Sequence, residues 1–344
     1  MKSQKSAVKT VKTKPATAET QLVPATGFSL EPVYTALRKR YPAAGQAEAV
    51  AFAADFYKRM EADEFPHHSV EEWAALAADT LEFARNRKIG KANVRVFNPT
   101  AKGNGWESPH TVLQIVNDDM PFLVDTVTMA LAEQGIGVHV LGHPVIRFSR
   151  DKAGKLAKVG EGEIESVMLL EMDRQSPEAM AEVEQGIVRA LEEVRSIVRD
   201  WQPMRDKALA VADDLGSRQL PVDDASRKEA QEFLRWAADN HFTFFGYREY
   251  KVGRKGGEDV LSVVDGSGLG LLHGRDLGKP RLLKSLAAHY MPQSGSEDAL
   301  ILTKTNARST VHRPGYMDYI GVLEFDDKGR PVAEPRFLGL YTSS

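Results

Sequence analysis

TVLQIVNDDMPFLVDTVTMALAEQG, residues 111–135, changes its period twice within 25 residues. His110 to Val116 reads as a strand, and Asn117-Asp118-Asp119-Met120-Pro121 ends it. Leu123, Val124, Val127, Ala130 and Leu131 then recur on one side of a helix that Gly135 stops. Upstream, Val94 and Val96 alternate with Arg95 and Phe97 as in a strand, and Gly103-Asn104-Gly105 is a turn. Downstream, Val138 and Val140 open a strand that reaches about Phe148 across Gly142 and Pro144, before a hairpin turn at Asp151-Lys152-Ala153-Gly154. Glu165 to Met172 is apolar almost throughout, the pattern of a central strand. Ser176-Pro177 opens a helix in which Met180, Val183, Ile187, Leu191, Val194, Ile197 and Trp201 fall every three or four residues. The order strand, strand, helix, strand, strand, helix predicts a β-α-β-β-α-β (ferredoxin-like) sandwich over residues 91–202. It is completed by one more strand, or by the leading strand joining the same sheet.

On either side the pattern differs. Residues 28–90 read as a helical lead-in. Val50, Phe52, Ala53, Phe56, Tyr57 and Met60 share one helix face, and a capping box at Ser69 and Glu72 leads into Trp73, Leu76, Ala77, Thr80, Leu81 and Ala84, with Gly90 closing the helix. Residues 203–240 read as a linker or short helix followed by an amphipathic helix with Phe233, Leu234 and Ala237 inward. From 241 to 344 strand runs at Phe242–Val252, Val260–Asp265, Ala299–Lys304, Tyr316–Phe325 and Arg336–Thr342 predict a mostly antiparallel β-rich domain. The last run ends two residues before the end of the chain, which suggests a domain truncated at its C-terminus. The predicted fold class is therefore α+β.

A chain of 344 residues suggests two or three domains, and its 42% hydrophobic and 27% charged residues exclude global disorder. It has no cysteine, which excludes disulfides, thiolate metal sites and a cysteine nucleophile and fits a cytoplasmic location. The net charge of −3 gives no electrostatic case for nucleic acid, and no apolar run is long enough to span a membrane. Residues 1–27 form a basic tail, with Lys2, Lys5, Lys9, Lys12 and Lys14 against Glu19 alone. They read as disordered.

Few residues invite chemistry. Gly266-Ser267-Gly268-Leu269-Gly270 fails the dinucleotide pattern because Leu271 follows, so it reads as a flexible turn. His139 and His143 do not share a helix face as a metal pair would, and His67-His68 reads as an exposed loop. No metal site is expected. His312, Arg313 and Asp318 form the best enzymatic cluster, a base, an anion-binding fork and a carboxylate within seven residues; a structural role at a strand entrance competes with it. The loop Asn117, Asp118, Asp119, Met120, Pro121 and Phe122 is the better ligand candidate, since the helix after it presents free N–H groups. Asp118 and Asp119 capping that helix is the alternative.

The element order and the acidic loop resemble an ACT domain over about residues 111–198. Asp119-Met120-Pro121-Phe122 matches the family's acidic, variable, proline pattern, with Phe122 where a glycine is usual. Four longer blocks, DDMPFLVD (118–125), FLRWAADNHFTFFGY (233–247), HRPGYMDYIG (312–321) and FLGLYT (337–342), resemble the N-terminal region of the large bacterial NAD-dependent glutamate dehydrogenases. The resemblance implies a parent that oxidises L-glutamate to 2-oxoglutarate and ammonia with NAD. It also implies a regulatory or oligomerising role for this chain, with homo-oligomer contacts through ACT-like sheet edges, a possible amino-acid effector, and a catalytic domain downstream. The glycine-rich NAD turn and the activated lysine of such an enzyme have no counterpart here, so this chain is expected to be non-catalytic and to hold no cofactor. A stand-alone amino-acid sensor is the alternative.

Overall fold

In the computed structural model the described residues are 29–58, 69–217, 223–255, 258–275, 281–282, 299–328 and 330–342. The expected basic tail, Met60 and His67-His68 lie outside them. The lead-in is three helices, α1 (Glu31–Arg40), α2 (Ala43–Tyr57) and α3 (Val70–Ala84). Ser69 and Glu72 form the expected capping box, and Trp73, Leu76, Ala77, Thr80, Leu81 and Ala84 are all buried. Gly90 does not close this helix, which ends at Ala84; with φ 75° the glycine serves the turn into the first strand instead.

The first sheet contains β1 (Asn93–Phe97), β2 (Thr111–Asp118), β3 (Val138–Gly142), β4 (Val145–Arg150), β5 (Leu156–Val159) and β6 (Glu163–Met172). A four-residue helix, α4 (Ala101–Asn104), follows β1, and α5 (Leu123–Glu133) follows β2. The strand order is β1-β2-β6-β4-β5, with β3 also on β6, and every pairing is antiparallel. The leading strand thus takes the outer place beside β2. The single strand expected from Val138 to Phe148 is broken at His143-Pro144 into β3 and β4, which both lie along β6. Alternation then divides the side chains. Val112, Val116, Val167 and Leu169 pack against α1–α3, while Leu113, Ile115, Met168 and Leu170 face α5 and the helix after β6.

That last helix, α6, runs unbroken from Pro177 to Ser217, 41 residues, where the sequence suggests an end near Trp201 and a linker from 203. Pro203 is tolerated because it and Arg199, whose carbonyl loses its helical partner, are on the exposed side. Trp201 is outside the seam: the buried stripe passes from Ile197 through Asp200 to Met204, Ala208, Ala212 and Leu215. The first half of α6 covers the first sheet and the second half covers the β-rich one.

The β-rich part begins with α7 (Asp224–Trp236) and a π turn at 237–241. Its strands are β7 (Phe242–Lys255), β8 (Glu258–Val263), β9 (Leu269–Gly270), β10 (Arg281–Leu282), β11 (Leu300–Arg308), β12 (Tyr316–Val322), β13 (Glu324–Phe325) and β14 (Pro331–Tyr341). Among the described residues they run in the order β10-β8-β7-β14-β12-β11, all antiparallel. A bulge opposite Leu338 and Gly339 places one extra residue in β7. As a result Phe242, Phe244 and Tyr247 pack with α6 and α7, while Phe245 faces the other way, into the core shared with α5.

Candidate functional site

The loop from Asn117 to Phe122 joins the end of β2 to α5, at the point where both modules meet. Neither aspartate caps the helix. Phe122 is the N-cap residue, in the left-handed region at φ 71° and with no side-chain cap. Asp118 bridges two arginines, accepting from Arg87 Nη2 at 2.7 Å and from Arg195 Nη1. Burial alone would push its carboxyl up, but the hydrogen bonds from Arg195 and Arg87 outweigh that and hold it below the ordinary carboxylate value. Arg195, on α6, also donates to Asn117 Oδ1. The Asn117 amide nitrogen is buried and has no hydrogen-bond partner among the described residues.

Asp119 is exposed, and its Oδ1 accepts from Ser166 Oγ at 2.6 Å; His143 Nε2 lies 2.9 Å from the same hydroxyl. Because the serine proton goes to Asp119, His143 donates from Nε2. Met120 is half-buried against the shared core, and Pro121 is exposed. Behind Asp118 lies a deeper pair of ion bridges. Glu165, 1% exposed in its side chain, accepts from Arg87 Nε at 2.9 Å and Arg150 Nε at 2.6 Å. Arg87, Arg150, Arg195 and Glu165 escaped the sequence reading. The one available signal was Glu165 itself, a carboxylate in a largely apolar central strand, whose burial calls for cations from elsewhere in the chain.

The three-residue enzymatic cluster comes together only in part: Arg313 and Asp318 both bond to the main chain of Tyr341. His312 (φ 72°) turns toward α5: its ring is 4.8 Å from that of Phe122, its N–H donates to Thr126 Oγ1 at 3.2 Å, and its Nδ1 is 3.5 Å from Asp125 Oδ2. Arg313 donates to the Tyr341 carbonyl at 2.6 Å. Asp318 is buried on β12, paired with Lys304 at 2.6 Å. His312 joins the Phe122 loop instead. The expected flexible turn at Gly266–Gly270 is gripped: Asp200 Oδ2 accepts the Gly270 N–H at 2.8 Å and Ser196 Oγ donates to the Gly270 carbonyl at 2.8 Å. His139 pairs with Asp173 at 2.9 Å. Among the described residues no group of three or more metal-ligating side chains could hold a metal ion. No helix among them is long and apolar enough to cross a membrane.

The loop sets carboxylates beside arginines and a buried, spare amide donor. The hydroxyl that stands beside an imidazole there, that of Ser166, donates to Asp119 rather than to His143. Residues 52–187 match the family described as glutamate dehydrogenase, ACT1 domain. The chain is 33% identical over 314 residues to the NAD-specific glutamate dehydrogenase of Halomonas elongata, covering 87% of this chain and 19% of that protein. It is 33% identical over 321 residues to the NAD-specific glutamate dehydrogenase of Pseudomonas aeruginosa, covering 90% and 20%. Against that of Mycobacterium tuberculosis it is 26% identical over 286 residues, covering 78% and 16%. The chain therefore spans about a fifth of the length of the first two relatives.

Proposed function

Because this chain belongs, through its ACT1 domain, to the family of NAD-specific glutamate dehydrogenases, we propose that it is the non-catalytic N-terminal regulatory and oligomerisation region of such an enzyme. The parent reaction is oxidation of L-glutamate by NAD and water to 2-oxoglutarate, ammonium and NADH, carried out by a catalytic domain elsewhere in the parent, in the cytoplasm. The observation that carries the regulatory reading is the junction at Phe122. A change in the 117–122 loop reaches the β-rich module directly, through the Phe122–His312 ring contact and the His312–Thr126 hydrogen bond.

The effector is an amino acid or a related acid. Arg195 and the unpartnered Asn117 amide favour its carboxylate, and Asp119 favours its ammonium group. Assembly falls to the edges of the first sheet, because α1–α3 cover one face and α5 and α6 the other. At the β1 edge the Val96 N–H is already taken by Glu184 at 3.2 Å and at the β5 edge the Leu156 N–H by the Arg85 carbonyl at 2.7 Å, which leaves the β3 side for a partner copy.

The test is thermal unfolding of this chain with each of the twenty amino acids, 2-oxoglutarate and NAD. A ligand at a hundred times its dissociation constant adds about 2.7 kcal/mol, or several degrees. An amino-acid shift that Asp119→Ala weakens is the expected result; no shift with any of them overturns the effector reading. An amination assay on the chain alone should show no NADH consumption, and turnover would overturn the non-catalytic one. Sedimentation as a monomer at every concentration would remove the assembly role.

A further inference from the structure

Arg248, on β7, poses a problem that the regulatory reading leaves untouched. The residue is 2% exposed. Its Nη2 donates to the carbonyls of Leu272 and Arg275, but Nε and Nη1 are buried without a hydrogen-bond partner among the described residues. A lysine in such a place can shed its proton, but a guanidinium cannot. The charge has to be met by an anion.

The neighbouring side chains do not meet it. Directly across the ladder from Arg248 stands a second arginine, Arg336 on β14. Glu334 is committed to that second arginine: its Oε1 accepts from Arg336 Nε at 2.8 Å and its Oε2 from Arg336 Nη2 at 2.7 Å, while Tyr319 donates its hydroxyl to Oε1. The Arg336 guanidinium lies over the Tyr250 ring at 4.0 Å. Glu249 points elsewhere, to Lys207 and the Tyr247 hydroxyl. The carboxylate beside the two arginines on this face is thus taken by Arg336. The glycine-rich turn brings backbone up to the same group. A Cβ at Gly268 would overlap the Leu272 carbonyl and stand 3.3 Å from Arg248 Nη2, so only glycine lets the turn close there. Carbonyl oxygens satisfy hydrogen bonds without neutralising charge.

We propose that Arg248 is the floor of a small-oxyanion site in the β-rich module, taking a carboxylate or a phosphate group on Nε and Nη1. The turn at 271–275 covers it, and the anion enters when that turn lifts. The site is separate from the 117–122 loop and does not depend on the effector reading. Its rival within the chain is Asp276, next after Arg275 and outside the described residues.

The experiment titrates the intact chain with inorganic phosphate, acetate and 2-oxoglutarate at constant ionic strength, following both the unfolding midpoint and the heat of binding. The expected result is a saturable, one-to-one response to at least one of them, weakened at least about tenfold in Arg248→Gln and unchanged in Asp276→Asn. A phosphate-only response assigns the site to a phosphate ester, a carboxylate-only response to an organic acid. The wild-type titration and Asp276→Asn decide the matter even if Arg248→Gln does not fold. Absence of saturable binding to the wild type overturns the proposal. So does an undiminished response in Arg248→Gln, or a response that appears only in Asp276→Asn.

Discussion

Asp118 is tied to two arginines from opposite ends of the first module, and that tie has a pH signature. Its carboxyl titrates below its ordinary value in the folded chain. A depressed folded value means that the contribution is complete above the unfolded pKa of about 3.9 and is lost as pH falls through the lowered value. The stability gap between the wild type and Asp118→Asn, measured by urea unfolding, should therefore be widest near about pH 6 and close toward about pH 3. A gap independent of pH would show the bridges to Arg87 and Arg195 to be energetically idle. Glu171 has no ion-pair partner among the described residues. It is 6% exposed, and its Oε1 is buried with no partner among the described residues. Glu171→Met removes a desolvated carboxylate from the face of the sheet that packs on α1–α3. It should raise the unfolding free energy by about 1 kcal/mol at neutral pH. Gly270, at φ 57°, has no room for a side chain: a Cβ would overlap the Phe245 carbonyl oxygen. Gly270→Ala should destabilise by more than about 2 kcal/mol in the same measurement.

At the scale of the element, α6 carries the argument. Ser196 and Asp200, one turn apart on the helix, hold both backbone groups of Gly270. Asp200→Ala strands the Gly270 N–H in a buried place and should cost about 1–3 kcal/mol, and Ser196→Ala about 0.5–1.5 kcal/mol. The double variant should lose less than the sum, because both bonds position the same peptide; strict additivity would mean that they act independently. The same helix shows what a sequence can and cannot disclose. Val183, Ile187, Leu191, Val194 and Ile197 announce themselves by spacing. The seam then passes through a carboxylate, and a proline follows three residues later, so the apolar pattern stops where the helix does not. The segment from Thr111 to Gly135 was legible because each period change there coincides with a real boundary. The loop between its strand and helix was visible as a candidate, but its partners were not. Arg87 lies 31 residues before Asp118 and Arg195 lies 77 after it, and only the folded sheet brings them together. The Phe122–His312 contact likewise joins two left-handed residues that no local pattern connects.

For the whole molecule, the decisive feature is that the two modules share a core. Leu123, Val127 and Leu131 of α5 belong to one buried cluster with Phe245, Leu271, Val311, Met317 and Leu340 of the β-rich part. The second half of α6 then enters another cluster with Ile320, Phe337 and α7. Neither module can lose its packing without exposing apolar surface on the other, so the chain should unfold in a single cooperative step. Leu131→Ala in the first cluster and Ile320→Ala in the second, both fully buried, should each cost about 2–5 kcal/mol. Both should lower the same calorimetric transition, with its van't Hoff and calorimetric enthalpies still equal. Two resolved transitions, one moved by each variant, would mean that α6 is a passive connector. A chain ended at residue 202 sharpens the test, because it removes Met204 and every β-rich residue of the shared cluster while keeping the first sheet whole. If the shared core matters as argued, that fragment should melt lower than the full chain. If it melts at the same temperature, the junction at Phe122 and His312 is a surface contact with no energetic hold on either side, and a signal could not pass through it.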